Sequence, residues 1–401
     1  MRMRNRFMLR GNSEGEYSPV RGVSMNKGAG ISVWLVAALA SAGCTKPIEL
    51  LWVQATEGAS KCTPLVTEDA IIFGNESGYV NAFAKSGVPR WRFTANRDVT
   101  ATPVVFQNLC FFGSFSSIFH AVDLSTGREA WRFAARERIK SGATILDGTV
   151  FFGSYDKHVY ALDALTGQLR WKFPGAPPPP VETDAQKKEQ EGKASAPPVE
   201  KPLETGDFSY ARPVVADGVM YVGNLDGNLY ALDPKTGAMK WRFKTGAGIT
   251  STVWHEGGTL YFGSNDHKLY AIEAASQKVK WTFATGDEVN SSPRISEGLV
   301  YVGGVDKRFY AVDPQAGQKK WDFLTKGRIV DSAAFYKNLV FIGSGPEDGN
   351  VYALDKSTGK LFWTFPTENK VEADPVVDGN RLYIVAGDGR LFAFQINRTT
   401  E

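Results

Sequence analysis

Cysteine, histidine and regularly spaced aspartate are the side chains here with the chemistry to cross-link, ligate a metal or carry a proton. Cys44, Cys62 and Cys110 are far apart, and no CxxC or CxxCH brings two of them together. That excludes a disulfide framework, and the sequence leaves open whether Cys62 and Cys110 pair. His120, His158, His255 and His267 are scattered, without the HExxH spacing of a metal site. They are expected to be satisfied surface or core side chains. Asp156, Asp226, Asp266, Asp306, Asp348 and Asp388 each stand five residues before an alanine. A calcium site needs oxygens converging on one point, whereas these carboxylates repeat along the chain. Their expected role is turn chemistry. If they do more, they form an acidic rim, a candidate interaction face. No catalytic residue, cofactor-binding residue or metal ligand is assigned.

A repeat positions these residues. Tryptophans fall at 52, 91, 131, 171, 241, 281, 321 and 363, with gaps near 40 and one of 70. Before most of them runs an Ala-x-Asp-x-x-Thr-Gly pattern, as in Ala161 to Trp171 and Ala231 to Trp241. The copy before Trp281 is degraded, with Glu273 for Asp and Gln277 for Gly. A period near 40 built of short β-type segments signals a propeller. Each period carries four strand signals. In the fourth these are Pro213–Val215, Val219–Gly223, Leu229–Asp233 and Met239–Phe243, punctuated by Asp217-Gly218, Asp226-Gly227 and Thr236-Gly237. Asp-Gly between such runs is a hairpin signal.

The last period, Asp374 to Ile396, supplies three strands and no tryptophan, while Glu49–Val53 is a lone fourth strand with nothing before it. Joining the two closes the ring and removes an open edge. The predicted fold is all-β: an eight-bladed β-propeller of four-stranded antiparallel blades, closed by the N-terminal strand. Trp52, Trp91, Trp131, Trp171, Trp241, Trp281, Trp321 and Trp363 are expected to dock blade on blade, a structural rather than catalytic role.

The composition agrees: 401 residues, 43% hydrophobic, 12% aromatic, with 41 glycines. The formal charge of +3 misleads, because residues 1–43 hold six basic and two acidic groups and the rest nets −1. No global basic field remains to attract nucleic acid.

Residues 31–43, ISVWLVAALASAG, are too short to span a bilayer comfortably and read as the apolar core of a secretory signal. Either Met1 or Met25 suits as the start. Ala42-Gly43-Cys44 resembles the lipobox of bacterial lipoproteins, although Ser41 departs from it. The resemblance implies lipidation of Cys44 as the first mature residue, and Thr45 after it implies the outer membrane.

Residues 174–205 hold eight of the twenty prolines, many charges and hardly any large apolar side chain. Such a segment does not fold by itself. It is expected to be a disordered insertion between blades three and four, projecting beside the Asp-rich turns, and more a spacer than a partner-binding arm. The domain plan is thus a leader at 1–43 and a single propeller at 44–401.

The Ala-x-Asp-x-x-Thr-Gly-x-x-x-Trp pattern resembles the tryptophan-docking motif of quinoprotein (PQQ-type) β-propellers, over about residues 46–396. Two groups share it: quinone-dependent dehydrogenases, and the BamB family of outer-membrane lipoproteins. The dehydrogenases usually carry a vicinal cysteine pair, and here Cys62 and Cys110 are 48 residues apart. They also have long inserted segments, where almost every repeat here is minimal. A lipobox-like signal before a compact ring is more similar to the BamB family. That likeness implies a non-enzymatic, lipid-anchored scaffold without cofactor, facing the periplasm and monomeric. Its implied partners are subunits of the barrel-assembly machinery and unfolded outer-membrane proteins. The alternatives are a quinone-dependent dehydrogenase and a periplasmic ligand-binding or sensing propeller.

Overall fold

The computed structural model describes residues 46–175 and 203–397, together with the backbone of Val33–Trp34. Every regular element among the described residues is a β-strand. The expectations for the rest of residues 1–43, for Cys44 and for 176–202 lie outside the described residues.

Blade four shows how sequence becomes sheet. Val214–Ala216, Val219–Gly223, Asn228–Leu232 and Met239–Lys244 pair in order, in antiparallel register: Val214 opposite Tyr221, Tyr221 opposite Ala231, Ala231 opposite Trp241. Asp217 and Gly218 both have positive φ, 48° and 70°. That is the mirror-image turn whose twist matches the flanking strands, and it explains the Asp-Gly pair. The innermost strand is half-buried along the ring axis, the middle two are buried apart from half-buried Val219, and the outermost alternates exposed and covered from Lys240 on. The middle strands have a neighbouring blade on each face, hence their unbroken apolar runs.

The other blades follow the same plan, with four-stranded sheets spanning 65–94, 104–134, 144–173, 254–284, 294–324 and 334–366. Blade eight joins Val376–Asp378, Arg381–Val385 and Leu391–Ile396 to Ile48–Gln54, with Ile48 opposite Ile396 and Trp52 opposite Ala393. Blade eight thus has its four expected strands, and the two residues Val33–Trp34 pair in addition, antiparallel, along its outer edge opposite Val53 and Gln54. Each outer strand carries a bulge at the residue before its tryptophan, such as Arg170 or Lys240. Bulges of this kind re-aim a side chain and blunt an edge strand.

The core is distributed between blades. Phe151 and Trp171 of blade three share one cluster with Met220 and Tyr230 of blade four. Phe119 of blade two stacks on Phe152 of blade three at 4.1 Å. Burying one such ring is worth about 1.5–3 kcal/mol. Strand alternation gives the ring two faces. The turn face carries the turns from first to second and third to fourth strands. The link face carries the second-to-third turns and the links between blades.

Candidate functional site

The link face gathers the repeat aspartates, the ends of the insertion and the mouth of the central cavity. In blades three to seven one carboxylate oxygen of Asp156, Asp226, Asp266, Asp306 and Asp348 accepts a tyrosine O–H four residues on, at 2.5–2.7 Å. The same oxygen accepts a backbone N–H from the link that enters its own blade from the preceding one: Arg136, Gly206, Gly246, Gly286 and Lys326. Burial and the carboxylate bond raise the phenols of Tyr160, Tyr230, Tyr270, Tyr310 and Tyr352. Each aspartate therefore ties its own blade to the adjoining link; the Asp156 side chain is only 4% exposed, and Asp266 Oδ1 is buried without a hydrogen-bond partner. In blade eight Phe392 stands where the tyrosine would be, and Asp388 holds Arg390 at 2.7 Å instead. Blades one and two have Ser77 and Ser116 at the aspartate position, with Asn81 and His120 in place of tyrosine. Aspartate occurs with tyrosine in five of the six blades that have it because the two bond each other. The insertion leaves and returns on this face: Thr205 Oγ1 donates to the Lys157 carbonyl, and Leu225 N–H to that of Asp207.

The tryptophans lie against the following blade. The indole N–H of Trp91, Trp131, Trp171, Trp281 and Trp321 donates at 2.8–3.1 Å to the carbonyls of Leu124, Ala164, Pro234, Pro314 and Lys356. Each acceptor directly follows a turn aspartate of the next blade. The Thr-Gly glycine of that turn lies flat on the ring. A Cβ on Gly127, Gly167, Gly237, Gly317 or Gly359 would come within 2.5–2.7 Å of the preceding blade's indole, and Gly87 meets Trp52 at 3.0 Å. Trp241 faces the degraded turn, where Gln277 takes a φ of 56°. Trp363 instead packs edge-on to Phe394 at 5.4 Å.

A cavity of about 860 Å³ opens on the ring axis. Its wall is the tripeptide that ends each link, with the outer two residues facing in and a small buried residue between. Lys61-Cys62-Thr63, Lys140-Ser141-Gly142, Tyr210-Ala211-Arg212 and Glu372-Ala373-Asp374 are examples. The middle residue accepts the N–H of the glycine twelve positions on: Ser141 from Gly153, Ser251 from Gly263, Ser291 from Gly303, Cys62 Sγ from Gly74. In blade seven this position is Asp331, whose Oδ2 accepts Gly343 N–H at 2.6 Å and whose Oδ1 has no hydrogen-bond partner. Burial pushes its carboxyl well above the usual range, and Asp374 adds to the push. Burial also raises Asp374, against bonds from Ser332 and the field of Arg294. Burial opposes ionisation of Glu372 too, but Arg328 and Lys370 outweigh it and hold it low. Lys140, 3.9 Å above the Tyr210 ring, is pushed down to about 8 by burial and by Lys61.

This charged axis is absent from the sequence reading. Its signal was a small residue two positions before a proline ahead of the first strand in five blades, at Cys62, Ala101, Ala211, Ser291 and Ala373, a frame whose inward side chains vary from blade to blade.

The remaining candidates sit apart from one another. Cys62 and Cys110 are both free and buried, and burial pushes the Cys62 thiol up to about 12. His120 lies between Phe93 and Phe112 with Nδ1 at 2.7 Å from Glu129, and burial lowers its pKa. His158 Nδ1 donates to the Asp156 carbonyl, His255 sits 3.2 Å from Asp217, and His267 sits 3.8 Å from Asp287. Among the described residues no three His, Cys, Asp or Glu side chains converge as metal ligands would.

The family profile described as "Outer membrane protein assembly factor BamB" matches residues 76–187, 225–346 and 324–400. No curated protein matches the chain. Among solved structures, BamB from Moraxella catarrhalis has the same fold at a TM-score of 0.67 and 18% identity, covering 88% of this chain and 99% of that one. A quinohemoprotein alcohol dehydrogenase from Pseudomonas putida HK5 gives 0.68 at 17%, over 88% and 77%. Another from Comamonas testosteroni gives 0.66 at 17%, over 89% and 78%. Identities this low show the ring fold alone, so the assignment rests on the repeat profile, which runs from blade one to blade eight. On that match the chain belongs to the family of the outer membrane protein assembly factor BamB.

Proposed function

We propose that this protein is a non-enzymatic scaffold, anchored in the outer membrane by lipid on Cys44 and facing the periplasm, that aids assembly of β-barrel proteins through protein contacts. Membership of the BamB family carries the reading. The lipobox-like Ala42-Gly43-Cys44 supports the anchor. One acyl chain binds a bilayer only marginally and several hold firmly, so a lipoprotein-type anchor would suffice. Processing at Cys44 would remove Val33–Trp34 and leave the outer edge of Ile48–Gln54 free, an edge on which an extended client strand can pair. We assign partner contact to the link face around Asp156, Asp226, Asp266, Asp306, Asp348 and Asp388, beside the 174–205 insertion. The working unit is one propeller, 44–401, acting as a monomer.

The test is gentle detergent extraction of the intact protein, affinity capture and identification of what accompanies it. A barrel-assembly subunit is the expected companion, and its absence removes the reading. Cys44→Ala is expected to release the protein from membranes. The dehydrogenase reading shares the fold of the two alcohol dehydrogenases. It requires that added quinone and calcium give a bound chromophore and dye-linked alcohol oxidation, and neither is expected.

A further inference from the structure

The chain joins the ring on the turn face. Ile396 N–H donates to the carbonyl of Asn380, in the first turn of blade eight, at 2.8 Å. Asn397 donates through N–H to Pro47 at 2.9 Å and through Nδ2 to Lys46 at 3.1 Å. Residues 46 and 47 are thereby fixed at that face. Only Thr45, Lys46 and Pro47 separate Cys44 from Ile48. Extended, that is a tether of about 14 Å.

In an eight-membered ring blade four lies opposite blade eight. On the same turn face, the outer strands of blades three, four and five each open with an exposed apolar side chain. Leu169, Met239 and Val279 are 45%, 43% and 47% exposed, Leu165 in the turn before Leu169 is also bare, and blade seven, beside blade eight, repeats the feature with Leu361 at 51%. Blades two and six have Glu129 and Lys319 at this position, so the repeat does not demand an apolar residue there. Basic residues flank the arc: Arg170, Lys240, Lys278 and Lys280. Arg170 and Lys240 are held at the rim by the turn aspartates Asp163 and Asp233, at 2.7 and 3.4 Å. Exposed apolar residues interleaved with lysine and arginine suit the boundary between lipid headgroups and acyl chains.

We propose that the turn face lies on the phospholipid surface, pinned at blade eight by its short tether and at blades three to five by the Leu165–Leu169–Met239–Val279 arc. The link face and the cavity then point away from the membrane, toward soluble partners. This rests on the anchoring at Cys44 proposed above, and it adds which face the bilayer meets.

The experiment uses the full-length lipidated protein carrying Met239→Cys, labelled with a fluorophore. Cys44 is consumed by lipid, and Cys62 and Cys110 are buried. A matched probe at Leu324→Cys reports the other end of an outer strand, on the link face. Both are reconstituted into phosphatidylethanolamine–phosphatidylglycerol vesicles containing a headgroup-labelled quencher lipid. Quenching several-fold stronger at 239 than at 324 is the expected result. Equal, weak quenching on vesicles with which the protein floats overturns the face assignment and spares the anchor. A 239 probe shielded from aqueous iodide yet untouched by the quencher lipid also overturns it, because another protein or a second copy then covers the arc. A protein that does not float with the vesicles removes the anchor reading, and the face assignment with it.

Discussion

Position 331 shows how one side chain can work against its own repeat. At the equivalent site Ser251 Oγ both accepts Gly263 N–H and donates to the Gly263 carbonyl. A carboxylate at Asp331 can only accept, and its second oxygen is left unpartnered inside the ring. The sign of the pH effect follows from the raised folded-state pKa. Above the ordinary carboxylate value the unfolded chain gives up its proton while the folded one keeps it, so stability falls as pH rises until the folded group also ionises. Asp331→Ser is therefore expected to stabilise by about 1–3 kcal/mol near neutrality. Denaturant titrations from pH 4 to 8 should show the gain shrinking toward the acid end, and a gain independent of pH would remove this account. His120 has the opposite slope. Burial lowers its pKa between Phe93 and Phe112, so the folded form resists protonation. That contribution is intact above the unfolded value of about 6.5 and is lost as pH falls through it. His120→Phe, the residue blade eight uses at Phe392, should flatten the stability profile between pH 7 and 5. A profile as steep as that of the parent would place the acid sensitivity elsewhere.

The unit at the scale of elements is the seam between two blades, where an indole covers the next blade's turn glycine. Gly317 sits at φ 66° with the Trp281 ring where a Cβ would go. Gly317→Ala meets both obstacles, left-handed strain and a clash with a fixed ring, and is expected to cost about 2–3 kcal/mol. The degraded blade five offers the reverse experiment. Gln277 already bears a φ of 56° under Trp241, so Gln277→Gly relieves strain of about 1 kcal/mol, partly offset by greater freedom of the unfolded chain. Thermal melts of the two variants should move in opposite directions, and a Gln277→Gly protein that melts lower would mean the Gln277 Nε2 bond to Ala275 outweighs the strain. Seams were half legible in the sequence. Trp, Asp, Thr and Gly recur at fixed offsets because every blade needs the same wedge and turn. That Gly127 packs on Trp91 of the preceding blade, not on Trp131 of its own, follows from geometry that offsets along one chain do not carry.

For the whole molecule, the eight-period count and the split last blade could be read because closure demands a spare strand, and Glu49–Val53 has no other partner in the repeat arithmetic. The cavity could not be read, since the inward positions at Lys140, Arg212, Glu372 and Asp374 differ in chemistry from blade to blade while only the small residue between them is constrained. Closure itself has a consequence that separates it from any other strand pairing. Glu49 and Gln395 are directly opposed across it, as Lys268 and Ala284 are within blade five. The two pairs are alike locally and differ in the chain they enclose. Cross-linking Glu49→Cys to Gln395→Cys closes a loop of about 350 residues, against about 16 for Lys268→Cys to Ala284→Cys, and loop entropy makes the former more stabilising by about 2–3 kcal/mol. The comparison is a pair of denaturation curves, each taken oxidised and reduced, so that each variant serves as its own reference. If the closing strand pairs as described, the 49–395 bond forms without reductant and shifts its curve further than the 268–284 bond does. Equal shifts would mean that the unfolded ring already holds its two ends together, and failure of the 49–395 bond to form would mean that the strand does not close the ring at all.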